Sequence, residues 1–148
     1  MKEKTATIIG HDDCSGIDDE HLRAELAKLA ESGVTTFLSG GYGGFDRLCA
    51  RRIYELKPRY PHIRSIIVIP YLDHKVFAPE LFDGSEFPEC LEGVPYRFRI
   101  SHRNRYMVEC AAHAVCFVTR SFGGAARTYR YAQNQGLNII DINKRQHS

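Results

Sequence analysis

Phe37-Leu38-Ser39-Gly40-Gly41-Tyr42-Gly43-Gly44-Phe45-Asp46 is the stretch that decides the fold of this chain. The apolar run 34–38 that leads into it is typical of a strand, and the pattern of an amphipathic helix follows it. Glycine allows a ligand to approach the backbone closely. The first turn of a helix offers unpaired N–H groups at its positive end. The stretch therefore predicts a phosphate-binding turn between a strand and a helix.

This turn matches neither of two common phosphate-binding fingerprints. The segment 41–46 lacks the last glycine of G-x-G-x-x-G, and no Gly-Lys-Ser/Thr follows it as in a P-loop. An alternative interpretation is that the glycines only make a tight corner between a strand and a helix. The stretch alone leaves both interpretations open.

Length and composition are those of one soluble globular domain. The chain has 148 residues, of which 43% are hydrophobic and 26% are charged. Its formal net charge of +2 is too small to indicate general nucleic-acid binding, although Arg97, Arg99, Arg103 and Arg105 form a local basic run. No apolar stretch is long enough to span a membrane, and no signal-peptide core follows Met1, so we expect a cytoplasmic protein without membrane association.

The five cysteines indicate neither a disulfide framework nor a metal site. They are odd in number and form no C-x-x-C pair, and Cys49, Cys110 and Cys116 fall on apolar faces. We therefore expect buried thiols of a reducing compartment, no bound metal and no required cofactor.

Strand-like and helix-like patterns alternate along the chain. This alternation predicts an α/β fold of the Rossmann-like type, with three layers, a mainly parallel sheet and helices on both faces. We expect a single domain over 1–148 that ends in a polar tail at 144–148, and we expect Asp18 and Ser101 to cap helices. The predicted strands are 5–9, 34–38, 65–69, 114–118 and 137–142, and the predicted helices are 18–31, 44–56, 101–112 and 123–135.

Residues 72–100 show no regular pattern, because prolines and glycines interrupt any period. A loop of this length is usually a lid or a ligand-binding segment. The alternative interpretation is a surface excursion that only covers the edge of the sheet.

Polar and glycine-rich segments directly follow the first four predicted strands. In an open parallel sheet, ligands bind in the crevice at the carboxyl ends of the strands, where the strand order reverses. We therefore expect the glycine corners of these segments to meet over one pocket. The segments are Gly10-His11, 39–44, Pro70-Tyr71 and 119–124.

These segments, together with two helical motifs, resemble a known family. Their order over nearly the whole chain resembles the YpsA-like branch of the SLOG superfamily, which also includes the DprA/Smf DNA-processing proteins and the LOG phosphoribohydrolases. The motifs are Gly10-His11, Ser39 to Asp46, Pro70-Tyr71, Arg103 to Val108, Gly123 to Thr128 and Tyr131-Ala132.

The resemblance implies a Rossmann-like domain that binds a nucleotide or a nucleotide-derived ligand, with an NAD derivative or ADP-ribose among the candidates. It also implies which residues contact that ligand. They are Ser39, Gly40, Gly41, Gly43 and Asp46 in one turn, Gly123, Gly124 and Thr128 in a second, phosphate-holding turn, Arg103 and Asn104 at a basic helix start, and Gly10, His11, Pro70 and Tyr71 at strand ends.

The sequence departs from the family pattern in two places. LOG enzymes carry G-G-x-G-T-x-x-E, whereas the segment 123–128 lacks the third glycine, has an extra residue before its threonine and is followed by Tyr131 in place of the glutamate. The acid that hydrolysis needs is thus missing from its expected position. Asp12 also stands where close relatives have arginine after Gly-His, which weakens the transfer of a role to that loop.

Three side chains can be weighed on their chemistry. Arg103, expected in the first turn of its helix, is either a bidentate phosphate ligand or a solvated arginine. Asp46 lies two positions inside its helix, where capping geometry is poor, so contact with the turn or the ligand is favoured. His11 has an ordinary pKa that suits acid–base catalysis, but a loop histidine is more often a hydrogen-bonding residue. Asp12 and Asp13 are the acids expected near the crevice.

Three functional hypotheses follow. The first is a module that binds a small nucleotide-like ligand as a sensor or carrier, with a homodimer as a candidate assembly. The second is a hydrolase that cleaves the N-glycosidic bond of a nucleoside 5′-monophosphate, with an aspartate as base. The third is a DNA-associated protein by analogy to DprA, which the small net charge does not support, so we do not expect nucleic acid as a partner.

Overall fold

The computed structural model describes residues 2–73 and 75–143. The predicted tail at 144–148 lies outside the described residues. Within the described part, no helix is both long and apolar enough to cross a membrane. The strands are β1 (Thr5–Gly10), β2 (Thr36–Ser39), β3 (Arg64–Val68), β4 (Gly84–Glu86), β5 (His113–Phe117) and β6 (Asn138–Asp141), and the helices are α1 (Asp19–Glu31), α2 (Gly44–Leu56), α3 (Arg99–Glu109) and α4 (Gly124–Asn134).

The six strands form one parallel sheet in the order β4-β3-β2-β1-β5-β6. β1 is central, because Thr7 lies opposite Leu38 of β2 on one side and Ala114 of β5 on the other. The chain moves outward from β1 through β2, β3 and β4, and then returns to the other side of β1 to form β5 and β6. The predicted Rossmann-like three-layer fold is confirmed, and its strand order reverses between β1 and β5.

β1 is buried on both faces. Ala6 and Ile8 belong to the core formed with α1 and α2, whereas Ile9 belongs to the core on the side of α3 and α4. A strand covered on both faces has no polar side to show, which explains why 5–9 is a run of β-branched and apolar residues without clear alternation. The first core also contains Leu22, Leu26, Phe45, Cys49 and Ile53, and the second contains Val108, Ala114, Cys116 and Ala132.

Local signals set the boundaries of the first two helices as predicted. Asp18 is the N-cap of α1, and its side chain accepts a hydrogen bond from the His21 N–H at 3.1 Å. Such a cap contributes about 1 kcal/mol to stability. α2 begins at Gly44 and ends at Leu56, close to Pro58, which cannot continue a helix.

The segment 72–100 is more regular than its sequence predicts. It contains β4, an edge strand of three residues, and short 3-10 helices at Pro79–Leu81, Glu89–Leu91 and Tyr96–Phe98. Asp83 accepts a hydrogen bond from the Ser65 N–H at 2.8 Å, and Tyr106 of α3 donates to the Glu86 carboxylate. Side-chain bonds to neighbouring elements therefore hold β4, which is too short to produce a strand pattern in the sequence.

α3 begins earlier than the sequence pattern predicts. The helix begins at Arg99, and Phe98 occupies the N-cap position without a side-chain hydrogen bond. Ser101 is therefore not a cap but lies in the first turn, and Arg103 lies in the second turn, not the first. The basic run 97–105 has no standard capping residue before Ser101, which is why the sequence pattern placed the start two residues late.

Two of the three cysteines predicted on apolar faces are fully buried. Cys49 and Cys116 lie in the two cores, and Cys110 is half-buried. Burial raises the pKa of the Cys49 and Cys116 thiols well above the ordinary range. These two thiols are therefore packing residues that stay protonated at neutral pH.

Candidate functional site

A cavity of about 390 Å³ lies where the strand order reverses. At this point the helices that follow neighbouring strands lie on opposite faces of the sheet and leave a crevice between them, which is the usual ligand position in this type of fold. The cavity is lined by Ile8, Ile9, Gly10, Asp12, Gly40, Tyr42, Gly43, Asp46, Ile100, Arg103, Asn104, Met107, Gly124, Ala125 and Thr128. Residues from both glycine corners therefore meet at one cavity.

The predicted site residues divide into two groups. Those that line the cavity are Gly10, Gly40, Gly43, Asp46, Arg103, Asn104, Gly124 and Thr128. Those that do not line it are His11, Ser39, Gly41, Pro70, Tyr71 and Gly123. Among the acids, Asp12 and Asp46 line the cavity, whereas Asp13 does not.

Backbone N–H groups of the first glycine turn donate hydrogen bonds to side chains of the same protein. Three of the turn's N–H groups are already paired, so in this conformation they are not available to a ligand. This finding limits the phosphate-binding role predicted for the turn. The pairs are Gly41 N–H with Ser39 Oγ at 3.1 Å, Tyr42 N–H with Asp46 Oδ2 at 3.1 Å, and Gly44 N–H with Asp12 Oδ1 at 2.9 Å.

Close packing explains much of the glycine pattern in this turn. A Cβ atom on Gly44 would lie 2.2 Å from the carbonyl oxygen of Asp12. Gly41 has a φ of +72°, a conformation that residues with a side chain rarely adopt. Both positions therefore require glycine whether or not a ligand binds, as the tight-corner interpretation proposed.

The second glycine corner is open. Gly123 is the N-cap of α4, and no side chain caps the first turn of this helix in the described part of the chain. Gly124 and Ala125 line the cavity, and the Thr128 hydroxyl donates to the Gly124 carbonyl at 2.9 Å. Uncapped N–H groups and the positive end of the helix dipole therefore lie beside the cavity.

Arg103 is buried beneath the first turn, with an exposed fraction of 3%. Its Nη1 donates to the carbonyl oxygens of Val68 at 2.8 Å and Gly40 at 3.3 Å, which are at the ends of β3 and β2. Its Nε donates to Asn104 Oδ1 at 2.9 Å. The solvated-arginine interpretation is therefore wrong, because this side chain joins α3 to two strand ends.

The positive charge of Arg103 has no close negative partner. Within residues 2–73 and 75–143, no carboxylate oxygen lies within 4 Å of its guanidinium, and its Nη2 makes no hydrogen bond. Burial lowers the pKa of Arg103, and the more distant Asp46 partly opposes this shift. A buried guanidinium without an ion pair is costly, and an anion in the cavity would reduce that cost.

Asp46 is the most strongly perturbed carboxyl group in the cavity. Burial raises its pKa to about 6, against the opposing effects of Arg103 and the Tyr42 N–H. Its carboxylate accepts the Tyr42 N–H at 3.1 Å. Its position in the helix favours contact with the turn or the ligand, and this hydrogen bond is the contact with the turn. A carboxyl group that titrates near neutral pH in a cavity is also a common feature of functional sites.

His11 connects the ends of β1 and β5. It is 5% exposed, its Nε2 accepts a hydrogen bond from the Thr119 N–H at 2.9 Å, and its ring meets Phe117 edge-on. Burial, helped by the charge of Arg120, lowers the pKa of His11. A neutral, buried ring that does not line the cavity fits the hydrogen-bonding role better than the catalytic one.

Sequence reasoning missed Ile8 and Ile9 of β1, Tyr42, Ala125 and two apolar residues of α3, Ile100 and Met107. Ile100, Arg103, Asn104 and Met107 are spaced by three or four residues, so they share one face of the helix. This spacing was readable from the sequence once the helix start was known. No three His, Cys, Asp or Glu side chains of the described residues converge as metal ligands.

Comparisons with known proteins agree on the fold. DNA processing protein A from Helicobacter pylori superposes with a TM-score of 0.67 at 18% identity, over 99% of this chain and 68% of that one. DprA from Streptococcus pneumoniae superposes with a TM-score of 0.65 at 18% identity, over 95% of this chain and 50% of that one. At this identity the likeness concerns the fold alone.

Sequence comparison identifies the family. No curated protein shows significant similarity to the chain. The YpsA family model, described as the YspA SLOG family, matches residues 11–138, which include both glycine corners and the whole of α3. The chain therefore belongs to the YspA SLOG family.

Proposed function

We propose that this protein binds a nucleotide or a nucleotide-derived ligand through its phosphate, in the cavity between the end of β1, α3 and α4, and that it acts as a sensor or carrier of that ligand. The observation that carries the proposal is Arg103, a buried guanidinium that lines the cavity without a carboxylate within 4 Å. A phosphate group beside it would supply the missing negative charge and accept hydrogen bonds from the guanidinium.

The arrangement of charges favours the α4 side of the cavity for the phosphate. Asp46 is mostly ionised at neutral pH, because its pKa is about 6, and its carboxylate would repel an anion at the first glycine turn. The first turn of α4 has no acidic residue and no side-chain cap. Helix N-termini of this kind bind phosphate through backbone N–H groups.

Calorimetry and thermal shift with adenosine and AMP test this proposal, because the two differ only in the phosphate. We expect AMP, and not adenosine, to stabilise the protein, by about 2.7 kcal/mol at 100 times its dissociation constant. Gly124→Val should abolish the effect without unfolding the protein, since a Cβ at this position meets no atom within 4 Å. Ala24→Val, at an exposed position of α1 on the other face of the sheet, is the matched control and should bind AMP normally.

A second variant addresses the guanidinium itself. Arg103→Lys keeps the charge but removes Nη2, the guanidinium donor that has no partner among the described residues, so AMP affinity should fall about tenfold. Equal stabilisation by adenosine and AMP, or normal AMP binding in Gly124→Val, would show that phosphate is not recognised at α4. Absence of any shift with AMP, ADP-ribose or NAD would refute nucleotide binding.

A second candidate is hydrolysis of a nucleoside 5′-monophosphate to the free base. The observation that favours it is the Asp46 carboxyl group, which lines the cavity and has a pKa of about 6, within the range of a general acid or base. Incubation with a panel of nucleoside monophosphates and an assay for free base tests it. Base release that Asp46→Asn abolishes would establish the hydrolase, and AMP binding without base release would leave the binding function alone.

A further inference from the structure

A second cavity of about 460 Å³ lies between α3 and α4 and borders the first. The two share the lining residues Ile100, Asn104, Gly124 and Thr128. The second cavity, here called the arginine groove, is also lined by Arg97, Ser101, Arg105, Arg127 and Tyr131. The groove therefore lies next to the first cavity at the N-terminal turn of α4.

The three arginines of the groove have no ion-pair partner among the described residues, and Glu109, four residues after Arg105 on α3, accepts a hydrogen bond from the Tyr131 hydroxyl at 2.5 Å. Arg97, Arg105 and Arg127 are exposed and form no ion pair with any residue of the described chain, and no carboxylate lines the groove. Arg105 stacks on the ring of Tyr131 at 4.8 Å, a contact that orients its guanidinium without neutralising it. The groove is therefore a concave surface with a concentrated positive charge.

Three arginines of α1 and α2 have carboxylate partners, although others of the described residues, such as Arg51 and Arg59, also form no ion pair. Arg23 and Arg52 of α1 and α2 both bond the Asp19 carboxylate, at 3.2 Å and 2.9 Å. Arg47 lies 3.6 Å from Asp12. Arginines near these carboxylates are paired, whereas the groove brings three arginines together beside a cavity and has no carboxylate among its described lining residues.

We propose that the arginine groove binds a second phosphate of the same ligand, so that the ligand is a nucleotide with a pyrophosphate group and not a nucleoside monophosphate. This inference rests on the proposed function, since the first phosphate is the one held at the N-terminus of α4. Gly124 and Asn104, which line both cavities, mark the point where the pyrophosphate crosses from one to the other. Guanidinium groups bind phosphate oxygens through paired N–H donors, which suits them to this second position.

Titration calorimetry with AMP and ADP tests the inference, because ADP adds one phosphate and nothing else. We expect the protein to bind ADP about tenfold more tightly than AMP. The double variant Arg105→Gln with Arg127→Gln should reduce ADP affinity about tenfold and change AMP affinity by less than about twofold. The matched control is Arg51→Gln with Arg59→Gln, which removes two exposed arginines of the α2 region, one of them also stacked on a tyrosine.

Each outcome decides between named explanations. Equal affinity for AMP and ADP in the unchanged protein would refute a second phosphate site while leaving the proposed function intact. Equal loss of ADP binding in the double variant and in its control would show a long-range charge effect and would also overturn the inference. If neither nucleotide binds, the proposed function fails, and if a short oligothymidylate then binds through the same arginines, the groove is a nucleic-acid surface instead.

Discussion

Replacing Asp46 with asparagine should make the protein more stable at neutral pH, although it removes a charged group from the wall of the cavity. Asparagine keeps an oxygen that can accept the Tyr42 N–H, which the Asp46 carboxylate accepts at 3.1 Å. It loses only the negative charge. Burial disfavours that charge more than Arg103 and the turn favour it, because the pKa of Asp46 is raised from 3.8 to about 6.

The sign and size of the effect follow from this pKa. A carboxyl group with a higher pKa in the folded state binds its proton more tightly when the protein is folded, so its contribution to stability is present at low pH and is lost as the pH rises from about 4 through about 6. Raising the pKa of Asp46 from 3.8 to about 6 corresponds to about 3 kcal/mol of unfolding free energy, at 1.36 kcal/mol per pKa unit. The variant should therefore exceed the natural protein in stability by about 1 kcal/mol at pH 4.5 and by about 3 kcal/mol at pH 7.5.

Urea unfolding at a series of pH values between 4.5 and 7.5, followed by circular dichroism, measures this difference. Asp12→Asn is the matched control, because Asp12 also accepts an N–H of the first glycine turn but has a side chain that is 84% exposed. Water already hydrates its charge, so its substitution relieves no cost of burial and should change the free energy of unfolding by only about 0.5 kcal/mol at pH 7.5.

The result that refutes the reasoning is a constant difference between Asp46→Asn and the natural protein across this pH range. A variant that is less stable at pH 7.5 would show that the attraction between Asp46 and Arg103 outweighs the cost of burial. A pH-dependent gain in Asp12→Asn as large as in Asp46→Asn would show that the effect does not come from burial.

Other substitutions separate packing from binding. Gly10→Ala should destabilise the protein by about 1–3 kcal/mol in urea unfolding, because its Cβ would lie 2.2 Å from Phe45. Gly41→Val should cost at least about 2 kcal/mol, since φ is +72° and the Cβ would lie 2.2 Å from a side-chain carbon of β3, so it is not a clean binding probe. Gly124→Val should change stability by only about 0.5 kcal/mol and yet abolish AMP binding. Asp46→Asn at pH 7.5 should bind AMP several-fold more tightly in calorimetry, because it removes a negative charge from the cavity.

The fold could be read from the sequence because its main signals are local and strong. Runs without alternation, such as 5–9 and 65–69, identify strands buried on both faces, and Asp18 and Pro58 bound their helices. β4 could not be found, because a strand of three residues at the sheet edge is held by pairing with β3 and by hydrogen bonds that Asp83 and Glu86 accept from other elements. Such contacts depend on tertiary structure and leave no periodic pattern.

The location of the cavity was predictable from the sequence, but the hydrogen bonds made by the residues around it were not. The rule that ligands bind where strand order reverses predicts that the two glycine corners meet, and Gly40, Gly43 and Gly124 do line the same cavity. The glycine pattern could not reveal that the first turn is paired internally, because Asp46 and Ser39 read equally well as ligand contacts and as turn partners. Burial of Arg103 was also hidden, since a basic run in a sequence usually indicates a solvated face.

Two residues that break ordinary rules of stability line the cavity. Arg103 is buried without an ion pair, and Asp46 keeps a carboxyl group where burial disfavours its charge. Asp46 could be replaced by a neutral residue at a gain if only the fold were at stake, whereas Arg103 also bonds the ends of β2 and β3. Asp46 and Arg103 lie farther apart than the 4 Å of an ion pair and line the same cavity as Gly124, at the uncapped N-terminus of α4. The buried guanidinium of Arg103 favours an anion in this cavity, and the Asp46 carboxylate repels that anion from the first glycine turn, which is the physical reason to place the phosphate on the α4 side.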